Sequence, residues 1–458
     1  MDAIEKKIIE AIDANRDKII AFGRDIWHHA ELGYREFRTS EKFNELLKSL
    51  GMEVEENLAI TGAKGYLKPK DTQGPTVAII GELDALPIGN HKDTNPETGA
   101  AHCCGHHAQL TGTIGAALAL SIPEIRDALG GNVVFMSAPS EEFVDIEYKN
   151  NLRKEGKARY GGGKCELIRI GAFEDIDIAI GHHTITSPDV DVVLSNASSN
   201  IFVNKTVRYI GKKAHAAGSP EMGVDALAAM NLAFHCIDVQ RESFRDQDTV
   251  RCHGYISKGG EAVNIIADDI QAEYCVRAKN MAAVKDANAK VDRAFRAAAI
   301  ATGCGLEIET LPGYFSTQPC PDLSALEDAI ACVKEQQPAL RVKEVSSKEH
   351  ITGSTDFGDV SAIMPLIQFN TSGVTGELHN TNVEIVDEDI AYLLTAKVFA
   401  LTAYQLLKNK ADKAEKLLEV YKPQLTRESY VEYMESMLGT FKMEPDPLPF
   451  LVDEGKVL

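Results

Sequence analysis

The chain has 458 residues, more than one compact hydrophobic core normally accommodates, so we expect two domains, and one of them is predicted to be inserted in the other. Acidic residues number 68 against 48 basic ones, and the formal charge is −20. Nucleic acids and anionic membranes would repel this charge, so the composition argues against both partners and favours a small-molecule substrate.

Three features predict a cytoplasmic protein. The first 27 residues carry apolar side chains at helical spacing among charges, and they lack the uninterrupted apolar core and cleavage site of a signal peptide. The later apolar runs are too short to span a bilayer. The nine cysteines are scattered and odd in number, which fits reduced thiols better than a disulfide framework.

The amino-terminal third predicts helices alternating with short strands. A first helix should run through Trp27, and a second should cover residues 36–50. The apolar run at 76–80 predicts a buried strand. Residues 108–120 are rich in Ala, Gly and Leu and carry no charge, so we expect a buried helix there.

Side chains that bind metals recur where apolar strands should end. They are Glu82, Asp84, Cys103, Cys104, His106 and His107 after the run at 76–80, Glu141 and Glu142 after the run at 131–136, and His182 and His183 after the run at 175–180. Thiolate, imidazole and carboxylate ligands suit zinc or a neighbouring first-row metal, and open α/β sheets bind ligands outside the carboxyl ends of their strands. The pattern therefore predicts a metal site at this edge of a sheet.

Residues 149–164 are basic and then rich in glycine. We expect a flexible surface loop there, with a mobile flap over the site as the alternative.

From Asn200 the pattern changes to that of a separate small domain. Strands are predicted at 201–210, 249–257, 269–279 and 306–310, with helices at 225–243 and 281–301. The order βαββαβ is a complete two-layer unit, so we predict an insertion at 199–312. Helix and strand then alternate again to residue 410, and a tail with helices and a Pro-rich end follows at 411–458.

Several ordered motifs resemble those of the aminoacylase and carboxypeptidase type metallopeptidases, peptidase family M20. The resemblance is strongest to the branch of auxin-conjugate amidohydrolases, aminobenzoyl-glutamate hydrolases and Xaa-Arg dipeptidase-like proteins, and it covers about residues 27–408. The motifs are His28-x-x-Glu31-Leu-Gly33, Asp84-Ala-Leu-Pro87, Cys104-Gly-His106, Glu141-Glu142, Gly181-x-His183, Gly211-Lys-Lys-Ala-His215, Gly353-Ser-Thr-Asp356 and Leu378-His379.

The resemblance implies an α/β fold. A di-zinc exopeptidase-like catalytic domain, with a mixed sheet flanked by helices, would comprise residues 1–198 and 313–410. The insertion at 199–312 would be a ferredoxin-like lid and dimerisation domain, so a homodimer is expected. Residues 411–458 would form a carboxyl-terminal helical extension.

The resemblance also implies roles for individual residues. Two divalent ions, zinc or manganese, would be held by Cys104, His106, Glu142, His183 and His379. Glu141 would be the general base, and Asp84 would orient a metal-bound histidine. His215 would stabilise the oxyanion, from the same subunit or from the partner. The substrate would be held by Asn264, Arg277 and Asp356.

Some assignments stay open in the sequence. His107 is an alternative ligand to His106, and His182 is an alternative to His183. Glu82 stands where other branches carry a metal-binding histidine, and the resemblance implies that Glu82 is not a ligand.

The leading hypothesis is a dimetal-dependent amidohydrolase that uses a metal-activated water to cleave N-acyl amino acids, aminobenzoyl-glutamate-like conjugates or small dipeptides. One alternative is a catalytically silent metal-binding protein on the same fold, against which Glu141 argues. Another is thiol chemistry at Cys103 and Cys104, which would survive a chelator and be abolished by alkylation.

Overall fold

The computed structural model describes residues 1–446, and the chain divides into two compact units. Unit 1 comprises Met1–Ser198, Thr317–His350 and Thr355–Glu428. Unit 2 comprises Ser199–Ser316, Ile351–Ser354 and the described part of Ser429–Leu458. Pro447 and Pro449 of the predicted Pro-rich end lie outside the described residues.

The α-helices of the described chain are α1 (Ala3–Ala14), α2 (Arg16–His28), α3 (Phe37–Ser49), α4 (His106–Leu120), α5 (Pro123–Asp127), α6 (Ile146–Lys154), α7 (Gly163–Arg169), α8 (Ala226–Asp238), α9 (Met281–Thr302), α10 (Ser324–Gln336), α11 (Phe357–Ile363), α12 (Thr395–Val420) and α13 (Arg427–Met437). Short 3-10 turns lie at Pro220–Met222, Arg241–Ser243 and Asp246–Asp248, and a π-helical turn lies at Asp389–Leu394.

The strands of the described chain are β1 (Glu53–Leu58), β2 (Gly62–Tyr66), β3 (Thr76–Glu82), β4 (Asn132–Ala138), β5 (Ile178–Thr184), β6 (Val192–Ser195), β7 (Ser198–Ser199), β8 (Ile201–Ile210), β9 (Arg251–Lys258), β10 (Asp269–Ala278), β11 (Gly305–Pro312), β12 (Val342–Val345), β13 (His350–Ile351), β14 (Leu366–Thr371), β15 (Val374–Thr375), β16 (Glu384–Ile385) and β17 (Gly439–Met443).

Unit 1 is built on a mixed eight-stranded sheet, which confirms the predicted fold class. Its strand order is β1-β2-β4-β3-β5-β14-β6-β12. The central strands β4, β3, β5 and β14 are parallel, so their carboxyl ends meet at one edge. The three strands that the sequence marked as ending in metal-binding residues are β3, β4 and β5, and they are neighbours in this sheet.

Helices α4 and α12 form the core beside this sheet, and every residue of α4 is buried. Small side chains bring the two helices together: a Cβ at Gly112 would lie 2.4 Å from Thr395, and one at Gly115 would lie 2.5 Å from Ala396. The expectation that the later apolar runs are too short to span a bilayer is wrong for residues 389–420, which are long and apolar enough to cross a membrane. However, 94% of their most apolar window is buried inside the protein. The α12 helix is broken at residues 408–411, where the backbone is not helical.

Unit 2 contains the βαββαβ order predicted from the sequence. Its antiparallel sheet has the order β17-β11-β8-β10-β9, with α8 and α9 packed on it. The outer strand β17 pairs with β11 from Leu306 to Thr310, although the tail was predicted to be helical. That part of the prediction is wrong, because β11 offers an unpaired edge that five tail residues satisfy, and so short a strand has no readable periodicity.

The prediction of a flexible surface loop at 149–164 is wrong at both ends of that range. Helix α6 and the start of α7 lie there, and Lys149 and Lys164 are only 4% and 0% exposed, whereas residues 155–162 between the helices form a loop that is exposed at 155–157. Buried lysines need counter-charges, and here those come from residues distant in the sequence, so the local composition looked solvated.

Candidate metal centre

The motif Cys104-Gly-His106 lies at the amino terminus of α4, against the end of β5. Gly105 has a φ of 103°, a left-handed conformation that favours glycine. A Cβ on Gly105 would lie 2.3 Å from the side chain of Thr184. Glycine is therefore required for Cys104 and His106 to approach the end of β5.

Cys104, His106 and His183 form a first group of metal-binding atoms. One ligand atom from each lies within 4.8 Å of the others, and Cys104 Sγ is 3.3 Å from His183 Nε2. The Nδ1 atoms of His106 and His183 lie 2.9 Å and 2.8 Å from backbone carbonyl oxygens, to which they donate. Both Nε2 atoms are therefore left with a lone pair for an ion.

Cys104, Glu142 and His379 form a second group, which shares the thiol with the first. His379 Nε2 lies 3.3 Å from Cys104 Sγ and 3.4 Å from Glu142 Oε1. The backbone N–H of His379 donates to the carbonyl of Cys103 at 2.8 Å, with His379 at a φ of 66°. This hydrogen bond fixes an otherwise half-exposed loop residue beside the thiol.

Asp84 accepts hydrogen bonds from one residue of each donor group. Its Oδ1 accepts from His106 Nδ1 at 3.1 Å, and its Oδ2 accepts from the backbone N–H of Glu142 at 2.8 Å. Burial alone would raise the pKa of Asp84, but the hydrogen bond and charge of His106 lower it below its ordinary value. Asp84 therefore contacts a residue of each group, as expected of an orienting carboxylate.

Glu141 points to a different place from its neighbour Glu142. Its Oε2 lies 3.7 Å from His106 Nε2, and it forms a third group with Glu82 and His106. Burial, followed by the charges of Glu82 and Glu142, raises the pKa of Glu141 well above its ordinary value. Three buried carboxyl groups at one place repel each other unless cations offset them.

The donor set fits a pair of divalent cations. Sulfur, imidazole nitrogen and carboxylate oxygen converge, and the buried atoms His106 Nε2, Glu82 Oε2 and Glu142 Oε1 have no hydrogen-bond partner. Unpaired buried polar atoms are costly, and metal ions would satisfy all three.

The turn that carries Glu141 is held by residues of the His28–Gly33 motif region. Ser140 has a φ of 49°, and its N–H donates to Glu36 Oε1 at 2.7 Å. A Cβ on Gly33 would lie 2.7 Å from Ser140 Oγ. Burial, then the charge of Asp84, raises the pKa of Glu36 to about 7. Glu36 was not among the predicted site residues, although it lies three residues after Gly33.

The structure separates the paired histidines. His107 lies in an aromatic cluster, with its ring 4.7 Å from that of Trp27 and 5.8 Å from that of Tyr392. His182 Nε2 lies 2.7 Å from Thr371 Oγ1 in the core. Neither histidine belongs to a ligand group among the described residues, so His106 and His183 are the candidates that the geometry supports.

Asp356 does not have the surroundings expected of a substrate contact. It is fully buried, and both of its oxygens accept hydrogen bonds from Lys164, one from the ammonium group and one from the backbone N–H. The same ammonium group binds Glu82. Lys164 was missed because its sequence context, three glycines and several basic residues, is typical of a loop.

The predicted lid residues all lie in unit 2. His215 is exposed, and its Nδ1 accepts from the backbone N–H groups of Ala217 and Gly218 at 3.2 Å and 3.0 Å. The neutral ring therefore carries its proton on Nε2, where it can donate. Asn264 lies next to this loop, since its carbonyl accepts from the N–H of Ala216 at 3.0 Å.

Arg277 lies at the other end of unit 2. It pairs with Phe202 in the sheet, whereas Asp269, at the start of β10, pairs with Ile210 just before the His215 loop. Eight residues of strand correspond to about 26 Å. Arg277 Nη1 donates to Ser354 Oγ at 3.0 Å, and its guanidinium lies 4.8 Å from the centre of the Phe202 ring.

Comparison with known proteins identifies a family and two similar curated relatives. The family described as Peptidase family M20/M25/M40 matches residues 78–405. The chain is 29% identical to the Xaa-Arg dipeptidase of Mus musculus over 429 residues, which cover 89% of this chain and 90% of the relative. It is 28% identical to one of the subunits of the p-aminobenzoyl-glutamate hydrolase of Escherichia coli (strain K12) over 316 residues, covering 68% of this chain and 60% of the relative.

A solved structure shares the fold. A Bacillus subtilis protein described as a dinuclear metal binding peptidase from the M20 family superposes with a TM-score of 0.60 at 22% identity, covering 86% of this chain and 99% of the other.

Proposed function

The chain belongs to peptidase family M20/M25/M40 and is a metal-dependent amidohydrolase, and from this premise we propose that it cleaves the amide bond of N-acyl amino acids, aminobenzoyl-glutamate-like conjugates or small dipeptides. The dipeptidase and the aminobenzoyl-glutamate hydrolase act on substrates of these classes. The observation that carries the proposal is the pair of donor groups that share Cys104 and lie beside Glu141.

We propose two divalent ions, zinc or manganese, as cofactors. Cys104, His106 and His183 would hold one, and Cys104, Glu142 and His379 the other. When bound, such ions lower the pKa of water and polarise a carbonyl oxygen. Asp84 fixes the ring of His106 and the backbone of Glu142, and so keeps both donor groups in place.

Glu141 is the proposed general base. It is buried at the edge of the first donor group and belongs to neither set of three ligands, so its carboxylate can take a proton from water and return it to the leaving amine. Although the two residues are adjacent, Glu142 belongs to the second donor group and Glu141 belongs to neither.

Residues of unit 2 are proposed to complete the site in a homodimer. His215 Nε2 would donate to the developing oxyanion, with Asn264 beside it, and Arg277 would bind a substrate carboxylate. His215 and Arg277 lie at opposite ends of β10, about 26 Å apart along the strand, so one copy of unit 2 cannot present both to one small substrate. A second copy would supply the missing group.

The proposed function is tested with purified protein stripped by a chelator and reconstituted with Mn²⁺ or Zn²⁺. A panel of N-acyl amino acids, aminobenzoyl-glutamate and dipeptides is assayed by amine release. We expect turnover that disappears on chelation and returns with metal. Activity that survives chelation but is lost on alkylation would contradict the proposal.

The role of Glu141 is tested by Glu141→Gln. The variant should bind two ions and lose about 10²–10⁴ in kcat, the usual contribution of a general base. Glu147→Gln, the same substitution at an exposed position of α6, serves as the control and should be as active as the wild type. Full activity in Glu141→Gln would refute the assigned role.

Subunit complementation tests the dimer. His215→Ala and Arg277→Ala should each be inactive alone, and re-annealing an equal mixture should restore roughly a quarter of the wild-type activity, because half of the dimers then carry one intact site. No recovery on mixing would show that each subunit works alone.

The cytoplasm stays the proposed compartment, in keeping with nine free cysteines.

A further inference from the structure

Behind the first donor group lies a buried cluster of three charged residues. The Nζ of Lys164, whose side chain is fully buried, bonds Glu82 Oε1 and Asp356 Oδ1. The backbone N–H of Lys164 donates to Asp356 Oδ2 at 3.0 Å. The ammonium group also lies 4.1 Å from the centre of the Phe357 ring. Strand β3, helix α7 and the start of α11 thus meet at one ammonium group.

The cluster holds one more negative charge than positive. Two carboxylates face one ammonium group, and all three side chains are at most 1% exposed. Asp356 accepts from Lys164 on both oxygens, whereas Glu82 accepts from Lys164 on Oε1 only. Excess buried negative charge is strongly unfavourable, so a further cation is expected near the other oxygen of Glu82.

The free oxygen of Glu82 shows where that cation belongs. Glu82 Oε2 has no hydrogen-bond partner and lies 3.1 Å from His106 Nε2, which is also without one. His106 Nδ1 donates to Asp84, so Nε2 is the atom that faces Glu82. The Nε2 and Oε2 atoms attract each other only with a cation between them, which is a proton on Nε2 in the metal-free protein and would be a metal ion in the loaded one.

We propose that Glu82 is a further metal ligand, held in place by Lys164 and Asp356, for the ion bound by Cys104, His106 and His183. The inference rests on the proposed function and differs from the resemblance, which implied that Glu82 is not a ligand. Lys164 and Asp356 act as positioning residues, because they hold one oxygen of Glu82 and direct the other at His106.

The two ions are then unequal. The first ion would have four protein donors, namely a thiolate, two imidazoles and a carboxylate, the number of a closed zinc site. The second would have three, from Cys104, Glu142 and His379, and would keep a position for water or substrate. We expect the first ion to bind more tightly and the second to exchange during reconstitution.

The test measures metal binding as well as activity. Chelator-treated wild type, Glu82→Gln and Glu82→Asp are titrated with Zn²⁺ and Mn²⁺ by calorimetry, and bound metal is counted after dialysis. Gln keeps the shape and an acceptor for Lys164 but removes the charge, whereas Asp keeps the charge and withdraws it by one methylene. Glu5→Gln is the matched control, since Glu5 is a buried carboxylate paired with Lys408 outside the donor groups.

We expect two ions in the wild type and in Glu5→Gln, and one of the two affinities lowered by about 10–100-fold or more in both Glu82 variants. Co²⁺ bound at the tighter site should also change its d–d absorption when the carboxylate is lost. If Glu82→Gln does not fold, Glu82→Asp decides alone.

Wild-type affinities and Co²⁺ spectra in the folded Glu82 variants would overturn the inference and leave the proposed function standing. A wild type that binds fewer than two ions would overturn both.

Discussion

Replacing Gly105 by alanine should destabilise the protein through two separable effects. The first is backbone strain, because the φ of 103° lies outside the range that residues with a Cβ readily adopt. The second is overlap, because the new Cβ would lie 2.3 Å from Cβ and Oγ1 of Thr184. Neither side of the contact can move freely, since Thr184 lies in β5 and residue 105 is the N-cap of α4.

The magnitude follows from adding the two effects. A left-handed conformation costs an alanine about 1–2 kcal/mol, and overpacking a rigid site costs about 1–3 kcal/mol. Gly105→Ala should therefore lower the free energy of unfolding by about 2–5 kcal/mol. Because the strain falls between Cys104 and His106, affinity for the ion that they share should fall as well.

The assay is urea unfolding of the chelator-treated protein, with Gly51→Ala as a matched control. Gly51 also has a positive φ, of 81°, but a Cβ added there would have nothing within 4 Å, so this variant should show only the loss of about 1–2 kcal/mol from strain. Adding Thr184→Gly removes the overlapping atoms, and the double-mutant cycle should recover about 1–3 kcal/mol of coupling. A Gly105→Ala variant no less stable than Gly51→Ala, or a cycle without coupling, would refute the reasoning.

Two further substitutions test contacts that sequence analysis missed. Burial alone would raise the pKa of Glu5, but the hydrogen bond from Lys408 lowers it to about 2. Lys408→Met should therefore lower the free energy of unfolding by about 1.5–3 kcal/mol at pH 7, and this difference should shrink as the pH falls from about 4.5 towards 2, because Glu5 then takes up a proton in both proteins; a difference independent of pH would contradict the pairing. Glu36→Ala removes the acceptor of the Ser140 N–H, so Glu141 should shift and kcat should fall about 100-fold for a displacement of about 1 Å, while the metal content stays at two ions; an unchanged kcat would exclude this positioning role.

Sequence patterns predicted the elements of unit 2 and the clustering of ligand-type residues well. The strands at 201–210 and 269–279 correspond to β8 and β10 within one residue, because alternating side chains on a half-buried sheet leave a clear period of two. The ligand-type residues after β3, β4 and β5 could be placed together because parallel strands end at one edge.

What sequence analysis could not supply were the contacts between distant residues. Lys164 binds carboxylates 82 and 192 positions away, so nothing in its neighbourhood shows that it is buried. The same holds for Asp356, whose motif suggested a contact with substrate but whose oxygens face Lys164. The local sequence pattern indicates periodicity and turns, whereas the pairing of buried charges depends on the completed fold.

The position of β17 affects how unit 2 folds during synthesis and which fragments of it are stable. Strand β11 pairs along one side with β8, and its other side is covered by residues that leave the ribosome about 130 positions later. Until then the nascent chain carries an open strand edge, which is the kind of surface that recruits other chains. A fragment of residues 199–316 should therefore aggregate, and one in which residues 429–446 are added through a linker should stay monodisperse.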